Sequence, residues 1–340
     1  MRHAVVHARW WIAYPVALIL LIVLDLAVRS WTPLPLRLPE QYSPTYLRLV
    51  LSDIPRDRST TVLLGDSVLW GYKLRADQTA AAILQTSDQS TRIVDLAYEG
   101  GSTVNDDVML RALRRVGVRP ATVIANVNIK EFNPGDSAYS TLHPSLERLS
   151  EHALTPGDSN VLDLHFRNSD LNRILNDDVE SIWRFYALRS DLREQLFGSD
   201  DAAGALLALV HGVTGERETE AALHVPTPDR FLGTYDLTPI GADNVAFTYY
   251  RSFVDRLCRN RIPSLLFLTP TNHQLLHEYI DDPNYDANLA RLEHIPHCSG
   301  VRILNWDRAI PPRYFLDNDH LNPEGQRRLA QLISRALHDK

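Results

Sequence analysis

A serine, a histidine and a carboxylate stand at spacings that could support nucleophilic catalysis. Ser67 closes a Gly-Asp-Ser tripeptide that directly follows the β-branched and aliphatic residues 61–64. Near the C-terminus, Asp317 precedes His320 by three residues. At that spacing a carboxylate can accept the Nδ1 proton of the imidazole, which leaves Nε2 free to take the proton of a serine hydroxyl. The three side chains predict a nucleophile, its general base and a carboxylate that orients the base.

Each half of this constellation also has an ordinary structural interpretation. Gly-Asp-Ser is common in surface turns, and an Asp-x-x-His sequence before a helix can form a cap with a solvated histidine. The flanking residues nevertheless predict that the Gly-Asp-Ser segment ends a strand and that the Asp-x-x-His segment precedes a helix. Residues 60–65 predict a buried strand that ends at a glycine, and Asn322 with Pro323 predicts the N-cap and first position of the last helix.

Strands and helices alternate through most of the chain, as in a doubly wound α/β fold. The predicted strands cover 60–65, 91–96, 121–127, 264–269 and 301–305. The predicted helices cover 77–86, 104–116, 243–260, 286–295 and 323–337. Ser67, Gly101 and Asn128 each follow a different strand. Because the carboxyl ends of parallel strands meet at one edge of a sheet, these residues are expected to converge there.

These segments resemble the four sequence blocks of the SGNH, or GDSL-type, hydrolase and acyltransferase superfamily. The first block resembles Gly-Asp-Ser with Ser67, and the last resembles Asp-x-x-His with Asp317 and His320, followed here by Leu-Asn-Pro-x-Gly. The glycine block is similar to residues 95–103, with Gly101 as the matching glycine and Gly100 as the alternative.

The third block, Gly-x-Asn-Asp, is matched only in part. Asn128 falls on the asparagine, while Asn126 and Ile129 replace the glycine and the aspartate. By resemblance, the oxyanion is held by the backbone amides of Ser67 and Gly101 and by the side-chain amide of Asn128. Asn126 is the alternative to Asn128.

The resemblance implies an SGNH-like, or flavodoxin-like, three-layer α/β/α domain with a central parallel sheet at residues 59–340. It also implies a covalent acyl-Ser67 mechanism with His320 as the base and Asp317 as its partner. Neither a cofactor nor a metal is expected.

The N-terminal residues predict a membrane anchor. Residues 1–9 carry two arginines and are expected in the cytoplasm, and residues 10–29 are almost wholly apolar and long enough for a single transmembrane helix. Asp25 lies near one end of this span, within reach of lipid headgroups. Because no small-x-small cleavage pattern follows, an anchor is favoured over a cleaved signal peptide. The domain is then expected on the periplasmic or extracellular side of the cytoplasmic membrane.

Two further segments are expected outside the α/β alternation. Five prolines between residues 30 and 58 predict an extended tether. Residues 130–242 predict a mostly helical insertion, with helical-looking residues at 179–197. Since it opens directly after Asn128, it could form a lid or a partner-binding face, or else a separately packed embellishment. The aromatic residues at 183–186 are expected to be core rather than a sugar-binding platform.

The composition fits one large globular domain with appendages. The 340 residues are 44% hydrophobic and 23% charged, and the formal charge of −7 argues against nucleic acid as a partner. Cys258 and Cys298 each precede a predicted strand, which allows either a disulfide or two buried thiols. His273 and His277 are four residues apart, but no acidic residue separates them as in a metalloprotease helix, so a metal site is disfavoured.

The predicted anchor favours acyl transfer over hydrolysis. The chain resembles accessory proteins of cell-surface acylation pathways, in which a multi-spanning membrane-bound O-acyltransferase passes an acyl group across the bilayer and a tethered protein places it on a polymer. We therefore predict O-acylation, and specifically acetylation, of a cell-surface polysaccharide. One alternative is a membrane-anchored esterase or deacetylase. The other is a non-catalytic scaffold subunit of a surface-polymer assembly complex, which the altered third block allows.

Overall fold

A computed structural model describes residues 2–30, 37–40, 42–133, 142–150, 158, 162, 179–180, 182–189, 191–192, 234–235 and 238–338. The centre of this structure is a parallel sheet of five strands in the order β2-β1-β3-β4-β5. The strands are β1 Thr60–Leu64, β2 Arg92–Asp95, β3 Thr122–Val127, β4 Ser264–Leu268 and β5 Val301–Asn305.

Helices connect and flank these strands. The helices within the described residues are α1 Arg2–Ser30, α2 Pro44–Asp53, α3 Ser67–Trp70, α4 Ala80–Ser87, α5 Thr103–Arg115, α6 Pro144–Ser150, α7 Arg184–Ala187, α8 Val245–Arg259, α9 His273–Ile280, α10 Pro283–Glu293 and α11 Pro323–His338. Short 3₁₀ turns cover Ala76–Gln78, Ile129–Phe132 and Pro312–Tyr314.

The strand order explains the two helix layers. The chain moves from β1 outward to β2 and then returns past β1 to β3. Since such crossovers are right-handed, reversing direction places the connecting helices on opposite faces of the sheet. Helix α4 packs against α11, and α5 packs against α8. The reversal between β1 and β3 is also where ligands bind in open α/β sheets, at the carboxyl ends of the strands.

The predicted α/β architecture is confirmed. Each predicted strand differs from the observed one by at most one residue at either end, and each predicted helix by at most three. Strands β1 and β4 are buried along their whole length, as expected of strands covered by helices on both faces. The edge strand β5 instead exposes Arg302 between the buried Val301 and Ile303.

The prediction of an irregular tether is wrong at residues 44–53, which form α2. Ser43 caps this helix by accepting a hydrogen bond from Tyr46 N at 2.9 Å, and Pro44 occupies its first turn. Proline is compatible with that position because its missing N–H would have no intrahelical acceptor there. Tyr46, Leu47 and Leu51 are buried in the main core. The proline content alone was therefore a poor guide to the structure of this segment.

The segment before α2 also contacts α3, the helical turn that begins at Ser67. Arg37 is buried, and its Nη1 donates to the carbonyl oxygens of Trp70 at 3.1 Å and Gly71 at 3.0 Å. Its guanidinium lies 4.3 Å from the centroid of the Trp70 ring. In return, Trp70 Nε1 donates to Leu38 O at 2.6 Å. Residues 37–38 are thus joined to the carboxyl end of α3.

The predicted span at residues 10–29 falls within α1. Within the described part of the chain, no helix combines the length and apolar character needed to cross a membrane. The expectation for Asp25 is corrected: its side chain is buried and accepts a hydrogen bond from Phe185 N at 2.9 Å. The carboxyl end of α1 is therefore bound to α7, a part of the insertion.

The insertion is described only in parts. Helix α6 packs against α2 and α5, and α7 packs against α1. The rings of Trp183 and Tyr186 stack with centroids 5.7 Å apart, and both residues are partly buried. Of the predicted helical residues at 179–197, the structure describes 179–180, 182–189 and 191–192. Most of the rest of the insertion, on which the lid interpretation depends, lies outside the described residues.

The two cysteines form a disulfide. Cys258, near the end of α8, pairs with Cys298, just before β5, with Cα atoms 5.7 Å apart. The sequence allows either a disulfide or two buried thiols, and the structure contains the disulfide.

Candidate active site

The structure brings Ser67, His320 and Asp317 together. Ser67 Oγ lies 2.8 Å from His320 Nε2. His320 Nδ1 lies 2.8 Å from each carboxylate oxygen of Asp317. Ser67 is buried apart from 7% of its surface, while the His320 side chain is 14% exposed. A proton can pass from the hydroxyl to Nε2 while the Asp317 carboxylate accepts the hydrogen on Nδ1.

Local backbone geometry places Ser67 at the end of β1. Gly65 has φ +138°, and a Cβ there would come within 1.9 Å of Asn126 Oδ1, so only glycine fits. Asp66 then caps α3 by accepting a hydrogen bond from Val68 N at 2.8 Å. Ser67 is the first helical residue, so its N–H has no acceptor within the helix. A backbone N–H donor therefore lies beside the Ser67 hydroxyl.

His320 sits in a loop fixed from two sides. Leu316 N donates to His320 O at 2.7 Å, within a short antiparallel bridge between Phe315 and Leu321. Asn272, at the start of α9, donates from its side chain to Asp317 O at 2.9 Å and from its backbone to the next carbonyl at 2.8 Å. These bonds hold the Asp-x-x-His loop against the end of β4.

Tyr72 is a site residue that the sequence analysis missed. Its ring centroid lies 4.4 Å from that of His320, at an interplanar angle of 38°. The residue is partly buried and follows the turn that ends α3. The ring covers one side of the imidazole and so restricts how a substrate can approach it. Its signal in the sequence is only proximity to Ser67, since no motif marks it.

Asn128 is engaged in a buried polar network. Its Nδ2 donates to Asp66 Oδ2 at 2.8 Å and to Asp319 Oδ2 at 2.7 Å, which uses both amide hydrogens. Asn126, the alternative residue, donates to Asp66 Oδ1 at 2.7 Å and to Thr269 Oγ1 at 2.9 Å. Neither asparagine has a free hydrogen for an oxyanion in this structure.

The predicted glycine donor is also engaged. Gly101 N donates to Tyr98 O at 3.0 Å. A Cβ on Gly101 would come within 2.1 Å of Gly65 O, so close contact between the two loops requires glycine there. Gly100 is exposed, with φ +75°. The oxyanion roles of Gly101 and Asn128 stay predictions, and each requires an observed hydrogen bond to break.

The charges around His320 favour its protonated form. Burial lowers the pKa of His320, but the negative charge of Asp319 and the hydrogen bond and charge of Asp317 outweigh that effect, so the pKa lies above its ordinary value. Asp319 itself forms an ion pair with Lys130. Neither Asp319 nor Lys130 was identified as a site residue from the sequence.

The acidic and histidine side chains of the site are engaged in hydrogen bonds and ion pairs, which disfavours a metal site. Ligand atoms of Asp317, Asp319 and His320 lie within 4.8 Å of one another. However, Lys130 and Asn128 already contact Asp319 Oδ2, and an ammonium group opposes a cation at that position. His273 is likewise engaged, since Nε2 lies 2.6 Å from Asp307 Oδ2 and Nδ1 lies 2.8 Å from Arg308 Nη1.

The strand order 2-1-3-4-5, with the Gly-Asp-Ser turn after β1 and the Asp-x-x-His loop before the last helix, agrees with the SGNH-like architecture that the sequence resemblance implies. No family model matches the chain, and no curated protein matches it.

Several solved structures are similar to this chain. One, described as a GDSL-like lipase from Bacteroides thetaiotaomicron, has a TM-score of 0.41 and 11% identity over 87% of this chain and 98% of its own. Another, from Bacteroides fragilis and assigned as an acylhydrolase, has a TM-score of 0.42 and 12% identity over 85% and 92%. A third is an active-site mutant of a family two carbohydrate esterase from Clostridium thermocellum, with a TM-score of 0.33 and 11% identity over 84% and 65%.

Proposed function

We propose that this protein is an exported, membrane-attached serine acyltransferase that acetylates a cell-surface polysaccharide through an acyl-Ser67 intermediate. The observation that carries the proposal is the continuous contact from Ser67 Oγ to His320 Nε2 and from His320 Nδ1 to Asp317. This arrangement is what activates a serine hydroxyl for attack on an ester or thioester carbonyl.

The geometry supports a two-stage reaction. In the first stage Ser67 Oγ attacks the donor carbonyl while its proton moves to His320 Nε2, and that proton then leaves with the departing group. The Ser67 N–H, which has no acceptor within α3, would donate to the oxyanion of the tetrahedral intermediate. In the second stage His320 takes the proton of an acceptor hydroxyl, which attacks the acyl-Ser67 ester, and the proton returns to Ser67 Oγ.

The choice between transfer and hydrolysis depends on the acceptor. The partial exposure of the His320 side chain, 14%, allows water to reach the acyl-serine, which favours an esterase as the second candidate. Transfer is supported by the proposed membrane attachment, because a polymer acceptor and a multi-spanning membrane-bound O-acyltransferase as acyl source would both be found at the cell surface.

A direct comparison of the two acceptors tests the proposal. The full chain in detergent is incubated with an activated acetyl ester, with and without a soluble polysaccharide, and both free acetate and glycan-bound acetate are measured. Transfer predicts that the glycan accelerates loss of acetyl from Ser67 and that the acetyl group appears on it. A fully O-methylated glycan, which has no free hydroxyl, is the matched control. Acetate release at one rate in all three mixtures would identify the esterase instead.

Membrane attachment through α1 is supported by its surface. In the described part of this helix, apolar side chains between residues 16 and 26 are at least 40% exposed; they are Val16, Leu18, Ile19, Leu20, Leu21, Ile22, Val23, Leu24 and Leu26. So long an apolar surface is unusual in contact with water. The disulfide supports an exported domain, because such bonds persist in oxidising compartments.

Arginine substitutions test the attachment. The full chain is expected to stay with membranes through an alkaline carbonate wash and to leave them with detergent. Ile19→Arg together with Val23→Arg should release it or prevent its insertion, since each charge in the apolar region costs roughly 3 kcal/mol. Leu337→Arg, at an exposed apolar position on α11, is the control and should behave as wild type. Recovery of the wild-type chain in the wash would contradict the proposal.

A further inference from the structure

Asp319 lies directly before His320, at an unspecified position of the Asp-x-x-His block, so the motif assigns it no role. Its side chain is fully buried, and its Oδ1 atom lies 3.5 Å from His320 Nδ1. This oxygen has no hydrogen-bond partner among the described residues. Because an unpaired buried carboxylate oxygen is costly, its position against the imidazole requires an explanation.

The other oxygen of Asp319 is held by two donors. Oδ2 accepts hydrogen bonds from Asn128 Nδ2 at 2.7 Å and from Lys130 Nζ. Burial raises the pKa of Asp319, but the charges of Lys130 and His320 and the hydrogen bonds from Lys130 and Asn128 bring it below the ordinary value. The carboxylate is therefore ionised throughout the neutral pH range and fixed in orientation.

Asp317 and Asp319 contact His320 in different ways. Asp317 is 17% exposed and accepts the Nδ1 hydrogen at 2.8 Å, which fixes the tautomer and the ring orientation. Asp319 at 3.5 Å is too distant for a good hydrogen bond, yet it is shielded from water. A charge at this distance in a buried site acts through space with little screening.

We propose that Asp319, fixed by Lys130 and Asn128, is a positioning residue that holds a second negative charge against His320 Nδ1. This charge stabilises the imidazolium that forms when Ser67 loses its proton. The inference rests on the proposed role of His320 as the base. It assigns different roles to the two carboxylates, since Asp317 bonds the Nδ1 hydrogen and Asp319 supplies a second charge. It also explains why Asn128 is turned toward Asp319 instead of being free for an oxyanion.

The remaining charged groups near His320 determine the sign of the effect. Lys130 faces it from the turn after β3, and Glu99 from the loop after β2, while Tyr72 covers the ring from the turn after α3. Lys130 opposes protonation of His320, whereas Asp319 and Asp317 favour it. Removing the Asp319 charge takes away its favourable effect on the imidazolium while the opposing effect of Lys130 remains, so His320 should bind its proton less tightly.

Proton binding by His320 can be measured without turnover. In the full chain in detergent, exchange of each imidazole C2 hydrogen for deuterium is followed across pH by mass spectrometry of peptides, which gives a midpoint for each histidine. Asp319→Asn is expected to lower the His320 midpoint by about 1 pH unit or more. For an activated acetyl ester, kcat/KM should fall about tenfold at neutral pH with little change in KM.

Asp307→Asn is the matched control, because Asp307 is equally buried and contacts a different histidine, His273. It should leave the His320 midpoint in place. If Asp319→Asn does not fold, the double variant Asp319→Asn/Lys130→Met, which removes both charges of the observed ion pair, is measured against Lys130→Met. An unchanged His320 midpoint on removal of the Asp319 charge overturns the inference. A lowered midpoint supports the inference even if the chain does not turn over substrate. A lack of turnover would count only against the proposed function.

Discussion

Ser67→Ala is expected to abolish covalent labelling by a fluorophosphonate and to slow turnover of an activated acetyl ester by at least about 10⁴-fold. The reason is geometric: Ser67 Oγ is the hydroxyl that lies 2.8 Å from His320 Nε2. His320→Ala should have the same effect, because without the base the hydroxyl keeps its proton. Intact-mass spectrometry of the labelled full chain, with mapping of the adduct to a peptide, makes the measurement.

A second serine provides the control for this experiment. Ser264 is buried at the start of β4, at the opposite end of the strands, and its Oγ donates to Ile262 O at 2.9 Å. Ser264→Ala should keep the adduct on Ser67. An adduct that persists on Ser67→Ala would identify a different nucleophile. A wild-type chain without any adduct would contradict the enzyme proposal and favour the scaffold alternative, for which the Ser67→Ala chain should keep its cellular role.

Asp317→Asn is expected to have the second-largest effect. Asparagine is nearly isosteric but can present an N–H to His320 Nδ1, which favours the tautomer with the hydrogen on Nε2 and leaves no base for Ser67. A change of this kind lowers kcat by about 10⁴-fold in a related arrangement of residues. The loss should be much larger than for Asp319→Asn, because only Asp317 bonds the Nδ1 hydrogen.

The pH profile of kcat/KM gives the accompanying measurement. His320 must be neutral to accept the Ser67 proton, so kcat/KM falls as the pH drops below the pKa of His320. Because that pKa lies above the ordinary value, the acidic limb of the wild-type profile should have its midpoint above about pH 6.5. In Asp317→Asn the residual activity should show this midpoint at lower pH. A wild-type midpoint well below pH 6 would contradict the charge arrangement described for the site.

The parts of the fold and site that follow from local sequence were predictable. Strand β1 is a continuous buried run that ends at a glycine, and the Asp317–His320 pair needs only a three-residue spacing. These features are encoded within a few residues of each other. The approach of Ser67 to His320 follows from the alternation of strands and helices, since both lie at the carboxyl edge of one parallel sheet.

The remaining features depend on contacts between distant segments. Lys130 and Asp319 are 189 residues apart, and nothing near either residue indicates that they pair. The hydrogen bonds of Asn128 likewise depend on how the loop after β3 meets the His320 loop. Helix α2 was missed because prolines were counted without regard to position, although Ser43-Pro44 is a favourable helix start. The sequence could not decide between a disulfide and two buried thiols, because it does not show that the end of α8 lies beside the start of β5.

The contact of Arg37 with α3 has a consequence for preparing the protein. The two carbonyl oxygens that Arg37 binds belong to Trp70 and Gly71, at the end of the single helical turn that begins with Ser67. A shortened chain that starts at residue 59, where the parallel sheet begins, would lose that cation and helix α2, uncovering apolar core surface. A version without α1, suited to crystallisation or kinetics, should therefore keep everything from Arg37 onward, so that the helical turn at Ser67 retains its support from the N-terminal side.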